Sequence, residues 1–198
     1  MPGYRRPMTA ERTPAAQAKQ ELRTRLRAAR SARAEADRRA AAGRLAANAA
    51  LLVPAEPSDI ACYVSTPTEP ATDVLITALG LVGHRVWVPR VRQERLEWVR
   101  IDEATVWSTG AFGIREPDGP GQALLPGTTA VVFLPALAVD RDGHRLGQGG
   151  GFYDRAMLDL PTQADGGPPR VALVFADEVL DAVPVEPHDL DADAIVTD

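Results

Sequence analysis

Thr129-Ala-Val-Val-Phe-Leu-Pro135 and, four residues on, Asp140-Arg-Asp-Gly-His-Arg-Leu-Gly-Gln-Gly-Gly-Gly-Phe-Tyr-Asp-Arg155 decide the fold. The first segment is the most apolar run in the chain. It reads as a central strand covered on both faces, which is typical of parallel sheets. The second packs Gly147, Gly149, Gly150 and Gly151 into five positions and runs into a helix expected over Tyr153–Leu160. A strand, a glycine loop and a helix in that order predict an α/β sheet with a ligand loop at the carboxyl end of a strand.

Working outward, Ala16 to Leu52 is rich in Ala, Arg and Leu, all good helix formers. Ser31 and Gly43 offer places to bend, so two helices or one broken helix are expected there. Lys19, Arg23 and Arg27 step by four and share a face. Asp59–Ser65, His84–Pro89, Arg95–Ile101, Arg170–Phe175 and Ala194–Thr197 read as strands, the second and third paired as a hairpin. Thr72 is placed to cap a helix over Asp73–Val82. Thr109–Gly127 reads as a long loop. The alternation predicts a single-domain α/β layered sandwich, with a largely parallel central sheet flanked by helices and preceded by N-terminal helices. Residues 1–16 read as a mobile tail, and residues 17–198 as one domain.

With 198 residues the chain can bury a core without disulfides. Its one cysteine, Cys62, excludes an internal disulfide and a Cys-rich zinc site, and reads as an inert buried thiol. No apolar run approaches a membrane span, and the N-terminus has no apolar signal core, so a cytoplasmic protein is expected. Residues 1–52 hold 12 basic and 4 acidic side chains, while the remainder is strongly acidic. The basic segment reads either as a solvated helix face or as a nucleic-acid surface, and the acidic remainder and sparse aromatics disfavour the second. Of the 22 basic residues only Lys19 is a lysine. An isolated ammonium in an Arg-rich chain suits a site that needs a compact point charge, as at a phosphate.

The glycine loop lacks the G-K-[ST] ending of a P-loop and the third glycine of a dinucleotide fingerprint. Successive glycine N–H groups can form a concavity for phosphate, and the following helix adds its positive end. Arg145 and Arg155 flank the loop with guanidinium forks. Asp154 beside such a cradle reads either as a first-turn carboxylate or as a ligand for Mg²⁺ bridging to phosphate.

Arg145-Leu-Gly-Gln-Gly-Gly-Gly-Phe-Tyr-Asp-Arg155 resembles the signature of the 5-formyltetrahydrofolate cyclo-ligase (methenyltetrahydrofolate synthetase) family. Lys19-Gln-Glu-Leu-Arg23, Tyr63–Thr72, Phe112–Pro117 and Leu134–Asp140 resemble further family segments in the same order. Phe152 and Gly150 depart mildly from it, standing where Tyr and a basic residue are common.

The resemblance implies ATP- and Mg²⁺-dependent conversion of 5-formyltetrahydrofolate to 5,10-methenyltetrahydrofolate, with release of ADP and phosphate. It implies catalytic roles for Lys19, Arg23 and Arg145. ATP would meet Lys19, Arg23, Arg145, Leu146, Gly147, Gln148, Gly149, Gly150, Gly151, Phe152 and Tyr153. The reduced folate would meet Arg23, Val64, Glu69, Phe112 and the loop from Gln148 to Phe152. Metal would be held by Asp154 and Asp189, with Asp191 and Asp193 near enough to compete for the second place. The partners implied are small molecules, with no nucleic acid, membrane or obligate protein partner. The alternative is a folate- or nucleotide-binding module without turnover. His84, His144 and His188 lack metal-site spacing, and no catalytic base is required.

Overall fold

The computed structural model describes residues 13–110, 113–125 and 127–198. Two helices open it, α1 (Pro14–Ala32) and α2 (Glu35–Ala50). Then follow β1 (Asp59–Ala61), α3 (Asp73–Leu81), β2 (Arg85–Arg92), β3 (Arg95–Ile101), β4 (Trp107–Thr109), β5 (Arg115–Pro117) and β6 (Thr129–Pro135). The chain ends with β7 (Ala138–Asp140), β8 (Arg145–Leu146), α4 (Phe152–Ala156), β9 (Arg170–Leu173), β10 (Val179–Leu180) and β11 (Ala194–Val196).

Helix α1 starts where Thr13 Oγ1 accepts the Ala16 N–H at 3.1 Å, with Pro14 at the first helical position. Residues 14–16, expected in the tail, are therefore helical; residues 1–12 lie outside the described residues. The Ala-rich face of α2 buries Leu45 and Ala49 and packs on α3.

The main sheet has the order β11-β9-β6-β1-β2-β3, and every neighbouring pair but β2–β3 is parallel. Gln93 and Glu94 turn the β2–β3 hairpin, both with positive φ, as a tight primed turn demands. Strand β6 lies inside the sheet and is buried on both faces. Val131 and Phe133 join one core with Leu45, Ile60 and Leu75, whereas Val132 and Leu134 join the other with Trp98 and Met157.

Five local expectations are corrected. The predicted strand Asp59–Ser65 ends at Ala61, because the chain beyond it turns to meet Thr72. Thr72 does not cap α3 with its side chain. Its hydroxyl donates to the Tyr63 carbonyl at 2.7 Å and accepts the Ser65 N–H at 3.2 Å, closing the 63–72 loop. The expected 109–127 loop contains β5, which pairs with β4. The start of the expected glycine loop is a hairpin, β7 against β8, with β10 added on its outer edge. Helix α4 is also short: it ends at Ala156, and the Arg170 guanidinium donates to the Leu160 carbonyl just beyond, at 2.9 Å.

Candidate active site

Two cavities flank the segment between β8 and α4. One, of about 410 Å³, is walled by Lys19, Arg23, Glu186, His188 and Asp189. The other, of about 610 Å³, is walled by Tyr63, Val64, Leu96, Ile114 and Phe152 with Glu69 and Gln148. Arg145, Gly147, Gly149, Gly150, Gly151 and Asp154 line both. The glycine strip is thus a shared wall between a polar and a largely apolar chamber.

Helix α1 holds that strip by its carbonyls. Arg23 Nε donates to Gly147 O at 2.9 Å, and Arg27 Nη2 donates to Gln148 O at 2.6 Å. No backbone N–H from Gly147 to Gly151 donates to another described residue. The strip therefore presents unused donors, the polarity an anion requires. Glycine is needed here for two reasons. Gly149 (φ 98°) and Gly151 (φ 64°) adopt positive φ, and a side chain at Gly150 would meet the Phe152 ring.

Lys19 lies in the polar chamber but is not idle. It is 3% exposed, and its Nζ donates to Asp189 Oδ1 at 2.6 Å and Glu186 Oε2 at 2.9 Å. Glu186 was not singled out from sequence. It accepts the Thr13 hydroxyl and donates its own N–H to Asp189 Oδ2 at 2.7 Å. The Lys19 hydrogen bond, more than any other contact, holds the Glu186 carboxyl below its ordinary range. Its three-residue spacing from Asp189 was the available signal. Asp193 does not reach the chamber: its Oδ2 accepts the Arg170 N–H at 2.8 Å at the edge of the sheet.

Arg145 is buried, with Nη1 on Pro135 O at 3.0 Å and Nη2 on Asp154 Oδ1 at 2.8 Å. The same Asp154 oxygen accepts the Leu190 N–H at 3.2 Å, whereas Oδ2 takes no hydrogen bond from a described residue. Asp154, Asp189 and Glu186 offer oxygen donors suited to a hard divalent cation. His188, unremarkable by spacing, places a ring nitrogen in one group with Glu186 and Asp189, all ligand atoms within 4.8 Å. Leu146 is packed with Leu22, Leu137 and Val183 and also lines the polar chamber.

In the larger chamber Glu69 is 6% exposed. Its Oε2 accepts the Thr66 N–H at 2.8 Å and its Oε1 the Gln148 amide at 3.1 Å. Val64 lines this chamber as expected, and Phe112 lies outside the described residues. Tyr153 meets Trp98 edge-on with ring centroids 6.3 Å apart. Burial, then the nearby Glu69 charge, pushes its phenol well above the ordinary value, so it stays protonated. Arg155 sits over the Phe152 ring at 5.1 Å. Cys62 is wholly buried, and burial pushes its thiol up.

Residues 15–198 match the sequence profile of the 5-formyltetrahydrofolate cyclo-ligase family. The chain belongs to that family. A 5-formyltetrahydrofolate cyclo-ligase of Mycolicibacterium smegmatis is 37% identical over 145 residues, covering 70% of this chain and 72% of the relative. The mouse cyclo-ligase is 28% identical over 145 residues, covering 69% and 71%. The solved structure of the Aquifex aeolicus 5,10-methenyltetrahydrofolate synthetase superposes with a TM-score of 0.74 at 26% identity, covering 90% of this chain and 89% of that one. In this cyclo-ligase the paired chambers thus sit on the glycine strip, with Lys19, Arg23, Arg145, Asp154 and Asp189 around them.

Proposed function

We propose that the chain converts 5-formyltetrahydrofolate to 5,10-methenyltetrahydrofolate at the expense of ATP, with the nucleotide phosphates in the polar chamber and the reduced folate in the apolar one. The observation that carries this reading is the glycine strip lining both. A direct transfer needs the two reacting atoms about 3–3.5 Å apart, which ligands bound against one common donor-rich strip can reach.

A formamide carbonyl is a poor electrophile, and its oxygen leaves poorly. In the proposed course the formyl oxygen attacks the γ-phosphorus, the bond to the β-phosphate oxygen breaks, and ADP departs. Nitrogen 10 then attacks the activated carbon. The carbon–oxygen bond breaks with release of phosphate, and the proton on nitrogen 10 is lost. The protein's part is to align two ligands and neutralise spreading negative charge. Glu69 would accept N–H donors of the pterin. Lys19, Arg23 and the unused loop N–H groups would meet phosphate oxygens. Arg145 would hold Asp154 in place rather than bind ATP itself. Mg²⁺, when bound at Asp154 and Asp189, would supply charge neutralisation at the phosphates. Lys19, which pairs with Asp189 at 2.6 Å, would add its positive charge beside the same phosphates.

No helix among the described residues is long and apolar enough to cross a membrane. We place the activity in the cytoplasm, with small molecules as its only required partners. The test is methenyl formation followed by absorbance, with ATP present and omitted. Lys19→Ala and Asp154→Asn should each lower turnover by at least about 100-fold, the usual scale for one charge-stabilising group. Normal rates in either variant, or product without ATP, refute the assignment. Tight folate binding with no product in the parent would favour a binding module.

A further inference from the structure

We propose that Arg27 is a positioning residue that ties the two chambers together through Gln148 and Glu69. The proposal rests on the assignment of folate and nucleotide to those chambers.

Arg27 follows Lys19 and Arg23 on the same face of α1, one turn beyond Arg23. It touches Gln148 twice: Nη2 donates to the backbone carbonyl at 2.6 Å and Nε to the side-chain Oε1 at 3.2 Å. A guanidinium only donates. The Gln148 oxygen must therefore face Arg27, and its NH₂ must face the other way. That group meets Glu69 Oε1 at 3.1 Å. A reversed amide would set NH₂ against a guanidinium and oxygen against a carboxylate. Arg27 thus fixes the amide, and the amide holds one Glu69 oxygen while the Thr66 N–H holds the other at 2.8 Å.

Gln148 lines the larger chamber, and its neighbours Gly147 and Gly149 line both. Its backbone is part of the glycine strip between Gly147 and Gly149, and its side chain sits on the proposed folate carboxylate. Any ligand that engages Glu69 acts on the Gln148 amide, and through it on the carbonyl that Arg27 anchors to α1. The nucleotide wall is set when folate binds. Thermodynamic reciprocity requires that nucleotide also favour folate.

The experiment is calorimetric titration with Mg²⁺-ADP and with 5-formyltetrahydrofolate, each alone and each with the other saturating. In the parent, folate should tighten ADP by about fivefold or more, and ADP should tighten folate by the same factor. Arg27→Met keeps length but has no donors. It should bind ADP alone within about threefold of the parent and melt normally, yet couple the ligands by less than about twofold. Arg27→Lys, which carries the charge without the fork, should behave like Arg27→Met. Coupling preserved in either variant overturns the relay. So does a parent that binds both ligands without coupling. A parent that binds neither sinks the assignment of the chambers and the relay with it, and is told apart by that.

Discussion

The Asp140 carboxylate, 2% exposed, accepts the N–H groups of Asp142 at 3.1 Å, His144 at 3.0 Å and Val183 at 2.9 Å, and pairs with the His144 ring at 2.9 Å. Burial alone would raise its carboxyl, but the hydrogen bonds from Val183 and His144 outweigh burial and hold it below the ordinary range. The same contact raises His144 above its ordinary 6.5. The sign follows from linkage. The ionic part of the pair is fully present below the unfolded imidazole value and is lost as pH rises through the raised folded value; it is lost at the acid end as pH falls through the lowered Asp140 value. An NMR titration should place the His144 midpoint above 6.5. His144→Gln should cost stability near about pH 6 and much less near about pH 9. An unshifted midpoint would show the pair to be absent in solution. Asp140 itself was visible in sequence only as the start of the signature. Its four bonds include one to Val183, and a partner so far along the chain leaves no local pattern.

At the scale of the element, the β7–β8 hairpin turns at Gly143, with φ 92°. A Cβ there would lie 2.4 Å from the Ala192 carbonyl oxygen, in backbone that cannot swing aside. Ala192 N also donates to Gly143 O at 2.8 Å. Gly143→Ala should therefore cost at least about 2 kcal/mol, combining the positive-φ penalty with a displaced neighbour, as read by urea unfolding. Gly113 also has positive φ, but a Cβ there would meet nothing within 4 Å among the described residues, so Gly113→Ala should cost only the conformational part, about 1–2 kcal/mol. The six strands of the main sheet were legible because alternation and apolar runs are local signals. Strands β7 and β8 were not. Gly143 lies four residues from Gly147, and the two glycines read as one loop. In the structure Gly143 belongs to a turn and Gly147 begins the cradle. The two-residue strand between them is too short to carry a period, and it forms because β7 is already there to pair with.

Across the whole molecule, the uneven charge of the sequence resolves into internal pairing. The basic N-terminal helices dock on acidic groups from the last quarter of the chain. Lys19 meets Glu186 and Asp189, Arg33 meets Asp177, and Arg44 meets Asp198. The deepest of these links is Arg30 with Glu178. Its two hydrogen bonds are 2.6 and 2.7 Å, and a further 2.6 Å bond runs from Arg30 to the Ala136 carbonyl. Arg30 is 1% exposed, so removing it strands a buried carboxylate. Arg30→Met should cost about 3–5 kcal/mol. Adding Glu178→Gln to that variant should recover part of the loss, because the unpaired charge disappears. A double-mutant cycle by denaturant melts that shows simple additivity would contradict this. The composition announced the basic segment but could not say what it faces, since the partners lie more than 140 positions away.

One strip of peptide bounds two compartments, and this has a consequence for how the enzyme can vary. A change that shifts the strip on its polar side moves the same atoms that shape its apolar side. On the proposed assignment, fit to the phosphate chain and fit to the pterin are therefore inherited together.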